Sequence, residues 1–156
     1  MEFKIRSTVV VTIIAFATSL TVVAQEKQIR RQQLPPAVET TVARESQGAT
    51  INGFASETEN GKRLYEVELS VDGHSKDITM DGDGNILEIE EQVTMNSLPA
   101  TVQEGLRTAA GKGSIARIEA LTKSGKLVAY EALVKSRSKH YEIQVGPNGE
   151  KLARRE

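Results

Sequence analysis

The sequence predicts an α+β fold of two tandem repeats, each with one helix followed by a four-stranded antiparallel meander. Three observations lead to this prediction: the chain aligns with itself, each aligned segment opens with a helical pattern, and alternating stretches bounded by turn signals follow. We expect the repeats to join into one sheet with the helices on one face. A unit of roughly 60 residues buries too little surface to be stable alone.

The self-alignment pairs residues 33–93, repeat 1, with residues 97–156, repeat 2. The helical parts agree at an offset of 64 positions, and the strand parts agree at 65 after a one-residue insertion. The agreeing pairs are apolar or turn residues: Leu34 with Leu98, Pro35 with Pro99, Val38 with Val102, Tyr65 with Tyr130, Ile78 with Ile143, Gly84 with Gly149 and Leu87 with Leu152. We interpret the chain as a duplication of one unit.

Each repeat is predicted to begin with a helix. Pro35 and Pro99 stand where proline is tolerated, in the first helical turn. Val38 and Val42 are four residues apart and so lie on one helical face, as do their counterparts in repeat 2. Glycine at position 48, and again at 111 and 113, ends the pattern.

Strands are predicted to follow each helix. In "YEVELSV", residues 65–71, apolar and polar side chains alternate strictly, which is typical of a half-buried strand. Two-residue turn signals separate the predicted strands and favour hairpins. These signals are Asn60-Gly61, Asp72-Gly73, Asp83-Gly84, Ser124-Gly125 and Asn148-Gly149.

The N-terminal residues 1–24 are predicted to be a signal peptide. Lys4 and Arg6 precede an apolar run, and Val22 and Ala24 are small residues at the −3 and −1 positions of a cleavage site. We therefore expect cleavage after Ala24 and a periplasmic or secreted protein that no longer contacts the membrane. A retained membrane anchor is the alternative. Residues 25–32 form a polar N-terminal segment.

Composition narrows the function classes. The chain has no Cys and no Trp, its aromatic content is 4%, and its formal net charge is −1. We therefore expect no disulfides and no nucleic-acid partner.

The charge is nevertheless divided unevenly, with a net of −9 in residues 33–93 and +5 in residues 97–156. The exposed sheet face is predicted to change sign along its length and to bind a protein partner. The candidate contact residues are Glu66, Glu68, Glu90, Lys135 and Lys139.

The stretch "MDGDGNILEIEE", residues 80–91, resembles the start of a calcium-binding EF-hand loop. Such a loop needs Gly at its sixth position and Glu at its twelfth, where this sequence has Ile86 and Gln92. A hairpin turn with positive φ at Gly84, and at Gly149 in repeat 2, is favoured, and no metal or other cofactor is expected. Asp81 and Asp83 are weak metal candidates, and divalent-cation (calcium) binding is the alternative function.

Catalysis is not expected. His74 and His140 are the two imidazoles of the chain, and neither accompanies a recognisable nucleophile or carboxylate motif. The glutamates of the predicted strands fit a solvated face. We therefore predict no catalytic residue and no enzymatic activity.

The motifs "LPPAV" and "NGKRLYEVELSVDGHSKDITMDGDGNILE" resemble the PepSY-like family, which is also described as beta-lactamase-inhibitor-like. Residues 33–91 match each motif, and residues 97–152 match more loosely. The resemblance implies an exported bacterial protein with a helix-plus-sheet fold whose concave sheet grips an enzyme. It supplies no catalytic or inhibitory residue. The expected function is an exported, non-enzymatic protein-binding module that inhibits or modulates an envelope or secreted hydrolase.

Overall fold

The computed structural model describes residues 27–137 and 139–156, and the predicted signal peptide lies outside them. Within these residues, eight strands form one antiparallel sheet in sequential order, and two α-helices pack on it. The strands are β1 (Lys27–Gln28), β2 (Thr50–Glu59), β3 (Lys62–Val71), β4 (His74–Met80), β5 (Ile86–Gln92), β6 (Ser114–Lys123), β7 (Lys126–Ser136) and β8 (Lys139–Val145). The helices are α1 (Pro36–Glu45) and α2 (Ala100–Ala110), each preceded by a short 3-10 turn.

The prediction of two tandem repeats, each a helix followed by a four-stranded meander, is wrong. Four strands follow α1 in the described residues, but three follow α2. Strand β1 also precedes α1, within the segment 25–32 that we predicted as a polar N-terminal segment. Strands β5 and β6 pair with each other, so the sheet runs through the middle of the chain without a break.

A physical reason for the difference lies in the residues that follow the last turn. In β5, Ile86 and Ile89 pack against the hydrophobic core beneath α1. At the corresponding positions near the C-terminus the chain has Lys151 and Arg154. Burying charged side chains without partners is costly. The segment 151–156 accordingly forms a single bridge, from Lys151 to Val145, and no strand.

Each helix covers its own hydrophobic cluster on the same face of the sheet. Val38 and Val42 of α1 are fully buried against a cluster that includes Val67, Leu69 and Ile78. The second cluster joins α2 to the later strands: Leu98, Val102, Leu106, Ile118, Tyr130, Ala132 and Val145. Burial of side chains of this size stabilises the fold by about 1.5–3 kcal/mol each. The helix-covered face therefore holds the core.

Three of the five predicted two-residue hairpin turns are confirmed. Asn60, Asp72 and Ser124 adopt φ values of 48°, 50° and 49°, and each is followed by a glycine that also has positive φ. Two consecutive residues of positive φ define the type I′ turn, whose twist matches that of the flanking strands. These turns place β2 against β3, β3 against β4 and β6 against β7.

The positive φ predicted at Gly84 and Gly149 is also confirmed, with values of 76° and 84°. Both glycines approach a helix closely. A Cβ atom on Gly84 would lie 2.6 Å from the carbonyl oxygen of Ala37, and a Cβ on Gly149 would collide with the carbonyl of Thr101. The turn that contains each glycine therefore packs directly on the backbone of α1 or α2, which only glycine permits.

Candidate functional site

The face of the sheet opposite the helices, here called the open face, brings carboxylates of neighbouring strands together. Antiparallel register places Glu66 and Glu88 on either side of the same β4 residue, and it places Asp77 directly between Glu68 and Glu90. Residues that are opposite each other in antiparallel strands point to the same side of the sheet. Strands β3, β4 and β5 therefore present five carboxylates side by side.

The pairing of β5 with β6 extends this arrangement into the second half of the sheet, which consists of strands β6 to β8. Gln92 lies opposite Glu119, and Glu119 lies opposite Glu131 of β7. We call the resulting set the acidic patch. Its members are Glu66, Glu68, Asp77, Glu88, Glu90, Glu119 and Glu131.

Basic and amide groups contact several carboxylates of this face. The strongest contacts come from Arg155, whose guanidinium lies 2.6 Å from the Glu131 carboxylate and 3.0 Å from that of Glu142. The remaining contacts are those of Arg117 with Glu119 at 3.3 Å, Lys123 with Glu88 at 3.5 Å, Gln28 with Glu68 at 3.3 Å and Gln144 with Glu131 at 2.7 Å. The Glu119 and Glu131 side chains are largely buried, with 7% and 14% of their surface exposed, and their basic partners offset part of the negative charge of the face.

Burial, together with neighbouring carboxylates, raises the pKa of Glu90 to about 8. Burial is the largest cause, followed by repulsion from Glu88 and Glu119 and a hydrogen bond shared with Glu88. Burial also raises the pKa of Glu119, and the neighbouring Arg117 opposes that shift. At neutral pH, Glu90 therefore carries a proton for most of the time and can donate a hydrogen bond, whereas an ionised carboxylate can only accept one.

The Glu88 and Glu90 side chains line a shallow depression of about 240 Å³ on the open face. The depression also contains Leu64, Glu66 and Asp77. The larger groove of the molecule, of about 1110 Å³, lies elsewhere, beside α2 and β8, and does not include this pair of acids. Acidic side chains therefore make up most of the lining of this depression.

The structure separates the contact residues predicted from the sequence. Glu66, Glu68 and Glu90 lie together within the acidic patch. Lys135 is exposed near the end of β7, opposite His140, away from those acids. Lys139 lies two residues before Tyr141 in β8, so both side chains are on the same side of the sheet. That side is the helix-covered one, because the Tyr141 hydroxyl bonds to the Ala110 carbonyl of α2. The two lysines therefore do not continue the acidic surface.

Sequence reasoning missed Asp77, Glu119 and Glu131 as members of the patch. Alternation places Asp77 on the polar side of β4, whereas Glu119 and Glu131 share their side of β6 and β7 with Leu121 and Ala129, which are buried. The proximity of the three acids to Glu90 depends on which strands are neighbours, above all on the pairing of β5 with β6. The alternation was a usable signal for Asp77, but it could not identify the neighbouring strand.

The weak metal candidates Asp81 and Asp83 build a turn. One carboxylate oxygen of Asp81 accepts hydrogen bonds from the backbone N–H groups of Asp83 and Asn85 at 3.0 and 2.9 Å, and the other accepts one from the Asn85 amide at 2.9 Å. These bonds, led by that of the Asn85 side chain, lower the pKa of Asp81. In residues 27–137 and 139–156, no group of three or more His, Asp or Glu side chains is arranged to hold a metal ion.

The fold and the carboxylates of the open face define an α+β protein whose sheet has one helix-covered face and one open, acidic face. Neither a family model nor a curated protein matches the chain. The structure is similar to a DUF2874 family protein from Bacteroides ovatus, with a TM-score of 0.60, 18% identity, and coverage of 76% of this chain and 84% of that chain. It is also similar to a BLIP-like protein from Bacteroides fragilis, with a TM-score of 0.58, 18% identity, and coverage of 76% and 83%.

A third similar structure is described as a candidate periplasmic protein from Bacteroides eggerthii, with a TM-score of 0.61, 16% identity, and coverage of 75% of this chain and 84% of that chain. At these identities the similarity shows the fold, which is that of BLIP-like proteins. Neither helix in the described part of the chain is long and apolar enough to cross a membrane.

Proposed function

We propose that the chain is an exported, non-enzymatic protein-binding module whose open face engages a partner protein. The observation that carries the proposal is the acidic patch, which spreads over the adjacent strands β3 to β7. No α-helix covers this face within residues 27–137 and 139–156, because both helices pack on the opposite side. A broad, rigid, charged surface suits recognition of a protein better than that of a small molecule.

The chemistry of the patch favours a partner with a basic surface. Carboxylates of one sign attract Lys and Arg side chains and accelerate their approach at low ionic strength. Protonated Glu90 shares its hydrogen with Glu88, which lowers the repulsion between the two side chains.

The partner class we propose is an envelope or secreted hydrolase, which the chain would inhibit or modulate. Export is supported by the predicted signal peptide and by the candidate periplasmic protein of the same fold. Inhibition is supported by the fold shared with a BLIP-like protein and by the PepSY-like motifs. Both are arguments from fold, whereas the acidic patch is an argument from the site.

The proposal can be tested with three baits in a pull-down from periplasmic extract. One is the unmodified chain and one carries Glu66→Lys with Glu68→Lys on the open face. The third carries Glu39→Lys with Glu45→Lys on α1, which changes the net charge equally but leaves the open face intact. Captured hydrolases would then be assayed with and without the purified chain.

We expect the unmodified and α1 baits to capture the same hydrolase, and the open-face bait to lose it. Binding should weaken as salt rises from about 0.05 to about 0.5 M, because exposed charges are screened over about 10 Å or less at 0.1 M and above. Equal capture by all three baits would show that the open face is not the contact surface. If a hydrolase is captured but its activity does not change, the proposed binding stands and the proposed inhibition is refuted.

A further inference from the structure

Residues 152–156, here called the C-terminal segment, cross the outer edge of β8 and reach the open face. Just before this segment, Lys151 forms a bridge with Val145, whose side chain is buried in the cluster beneath α2. Four residues later, the Arg155 guanidinium contacts carboxylates of the open face. Residues 153–156 are all exposed, so polar contacts rather than burial hold this part of the chain in place.

Hydrogen bonds fix the C-terminal segment to β7 and β8. Arg155 donates one of 2.6 Å to Glu131 and one of 3.0 Å to Glu142, and the backbone N–H of Glu156 donates one of 2.9 Å to the Gln144 side chain. The Gln144 amide in turn donates to the same Glu131 oxygen at 2.7 Å. Gln144 lies directly opposite Glu131 in the sheet, so both side chains are on the open face. Arg155 therefore lies on the margin of the acidic patch.

Glu131 depends on a cation more than Arg155 depends on a carboxylate. The Glu131 side chain is 14% exposed, whereas the Arg155 side chain is 56% exposed. Loss of the contact would return the guanidinium to water but would leave a largely buried carboxylate without its cation, which is costly. Burial is the main cause of the raised pKa values of Glu90 and Glu119, and Glu131 is among the carboxylates that add to both. Arg155 therefore offsets a charge that acts on the centre of the patch.

The two halves of the chain use this position in opposite ways. In the sequence alignment Arg155 corresponds to Glu90, which belongs to the acidic patch. Strand β5, which carries Glu90, continues between β4 and β6, whereas the chain leaves the sheet after Lys151 and places a basic residue over the acids. Arg155 thus presents to Glu131 the kind of group that a partner with a basic surface would bring.

We infer that an arginine of the partner protein binds at Glu131 and Glu142, in the place that Arg155 holds, and that Arg155 has to leave before the partner binds there. Arginine suits this place because its planar guanidinium donates several hydrogen bonds to carboxylates at once. The contact of Arg155 with the two carboxylates is thus autoinhibitory. This inference rests on the proposed function, because it names the partner group and the regulation of the same open face.

The tether of Arg155 decides which ligands displace it. A group held by a short flexible linker acts at an effective concentration on the order of mM. A single free arginine at a lower concentration therefore competes poorly with Arg155. A partner that also contacts the rest of the acidic patch gains binding energy elsewhere and can displace it. The C-terminal segment thus favours a broad basic surface over an isolated arginine.

The first test uses the peptide acetyl-LARRE-amide, which repeats residues 152–156, as a free source of the same arginine. Its binding is followed by NMR through the side-chain amide signal of Gln144. Arg155→Gln opens the place, and Arg154→Gln makes the same change in net charge at the neighbouring residue. We expect Arg155→Gln to bind the peptide at least about threefold more tightly than the unmodified chain, and Arg154→Gln to match the unmodified chain within about twofold.

A further variant identifies the carboxylate. Glu131→Gln added to Arg155→Gln restores the net charge, and it should remove the gain in peptide binding. The second test repeats the pull-down from periplasmic extract with the Arg155→Gln and Arg154→Gln chains as baits. We expect the Arg155→Gln bait to capture at least about threefold more hydrolase than the Arg154→Gln bait.

Three outcomes would overturn the inference. The first is equal peptide binding by the Arg155→Gln and Arg154→Gln chains, and the second is a gain that persists when Glu131→Gln is added. The third is equal hydrolase capture by the two baits. If no bait captures a hydrolase, the proposed function fails, and peptide binding alone decides whether Glu131 accepts an arginine in place of Arg155. Failure of this inference is therefore distinguishable from failure of the proposed function.

Discussion

The two turns that close the halves of the molecule pack on their helices in different ways. In the first half, the Thr41 hydroxyl donates a hydrogen bond of 2.8 Å to the carbonyl of Gly84. In the second half, Gly105 stands at the position that corresponds to Thr41, and it packs backbone to backbone against Gly149. A hydrogen bond in one half is thus replaced by close approach of two glycines in the other.

The segments that follow these turns differ more. After Gly84 the chain forms β5, which pairs with β4 on one side and β6 on the other. After Gly149 it forms one bridge and then leaves the sheet. The turn and its helix contact therefore do not decide whether a strand follows. A strand forms where Ile86 and Ile89 pack against the core, and none forms where Lys151 and Arg154 stand at the corresponding positions.

The largest expected effect tests whether the halves unfold together. Leu106 of α2 is fully buried, and Leu106→Ala should lower the free energy of unfolding by about 2–5 kcal/mol. Its counterpart Val42→Ala should cost less, because valine has about one methylene less to lose at about 0.8 kcal/mol each.

Because β5 and β6 join the two halves in one sheet, we expect either variant to shift a single transition. Urea unfolding followed by circular dichroism and by tyrosine fluorescence measures this. Two separated transitions in either variant would show that the halves are independent units.

The next effect tests the two glycine contacts. Gly84→Ala and Gly149→Ala should each lower the free energy of unfolding by about 2–3 kcal/mol, because an added Cβ meets helix backbone and φ is positive. Gly73→Ala is the matched control. Its φ is 84°, yet nothing lies within 4 Å of the added Cβ, so it should cost about 1 kcal/mol. Equal losses in all three variants would mean that the helix contacts do not matter.

The acidic patch makes the first half sensitive to pH. The pKa of Glu90 is about 8 in the folded chain, above its ordinary value of 4.5. The folded state therefore holds this proton more tightly than the unfolded state, and the stabilising contribution is complete below about pH 4.5 and is lost as pH rises toward 8. The corresponding residue of the second half is Arg155, whose charge is paired with Glu131 and Glu142.

Glu90→Gln removes the titrating group and keeps the shape of the side chain. We expect its stability relative to the unmodified chain to increase from about pH 4.5 to about pH 8 and then to level off. The measurement is the midpoint of urea unfolding at several pH values. Parallel curves for the two chains would contradict the raised pKa.

The smallest effect concerns the aspartates of the first closing turn. Asp81→Ala removes three hydrogen bonds from an exposed turn and should cost about 1 kcal/mol, whereas Asp83→Ala should cost less, since Asp83 contributes its backbone N–H to those bonds. In the second closing turn, Glu150 accepts a similar bond from the N–H of Asn148. Calorimetric titration with calcium should give no binding heat. Heat that disappears with both aspartate substitutions would instead support a cation site.

Much of the local structure was predictable. Proline before α1 and α2, the alternation in "YEVELSV" and the two-residue turns at Asn60, Asp72 and Ser124 each have a local physical cause, and each lies where predicted. The prediction of a fourth strand after α2 was wrong because it relied on the turn at Gly149. It did not take account of the charged residues Lys151 and Arg154, which follow that turn. Strand β1 was missed because two polar residues carry no strand pattern.

The candidate site was predictable only in part. Alternation placed Glu66, Glu68 and Glu90 on a polar face, and in the structure they lie on neighbouring strands of the open face. It did not reveal that Glu119 lies close enough to influence Glu90, because that depends on a pairing between strands separated by α2.

The sequence by itself determined the turns, the helix starts and the apolar side of each long strand, because these follow from backbone sterics and side-chain periodicity within a few residues. The tertiary structure alone decided which strands are neighbours, and with them the acidic patch, the raised pKa of Glu90 and the unpaired edge of β8. Electrostatic crowding and edge pairing depend on distances between groups far apart in the chain. Such distances exist only once the sheet has formed.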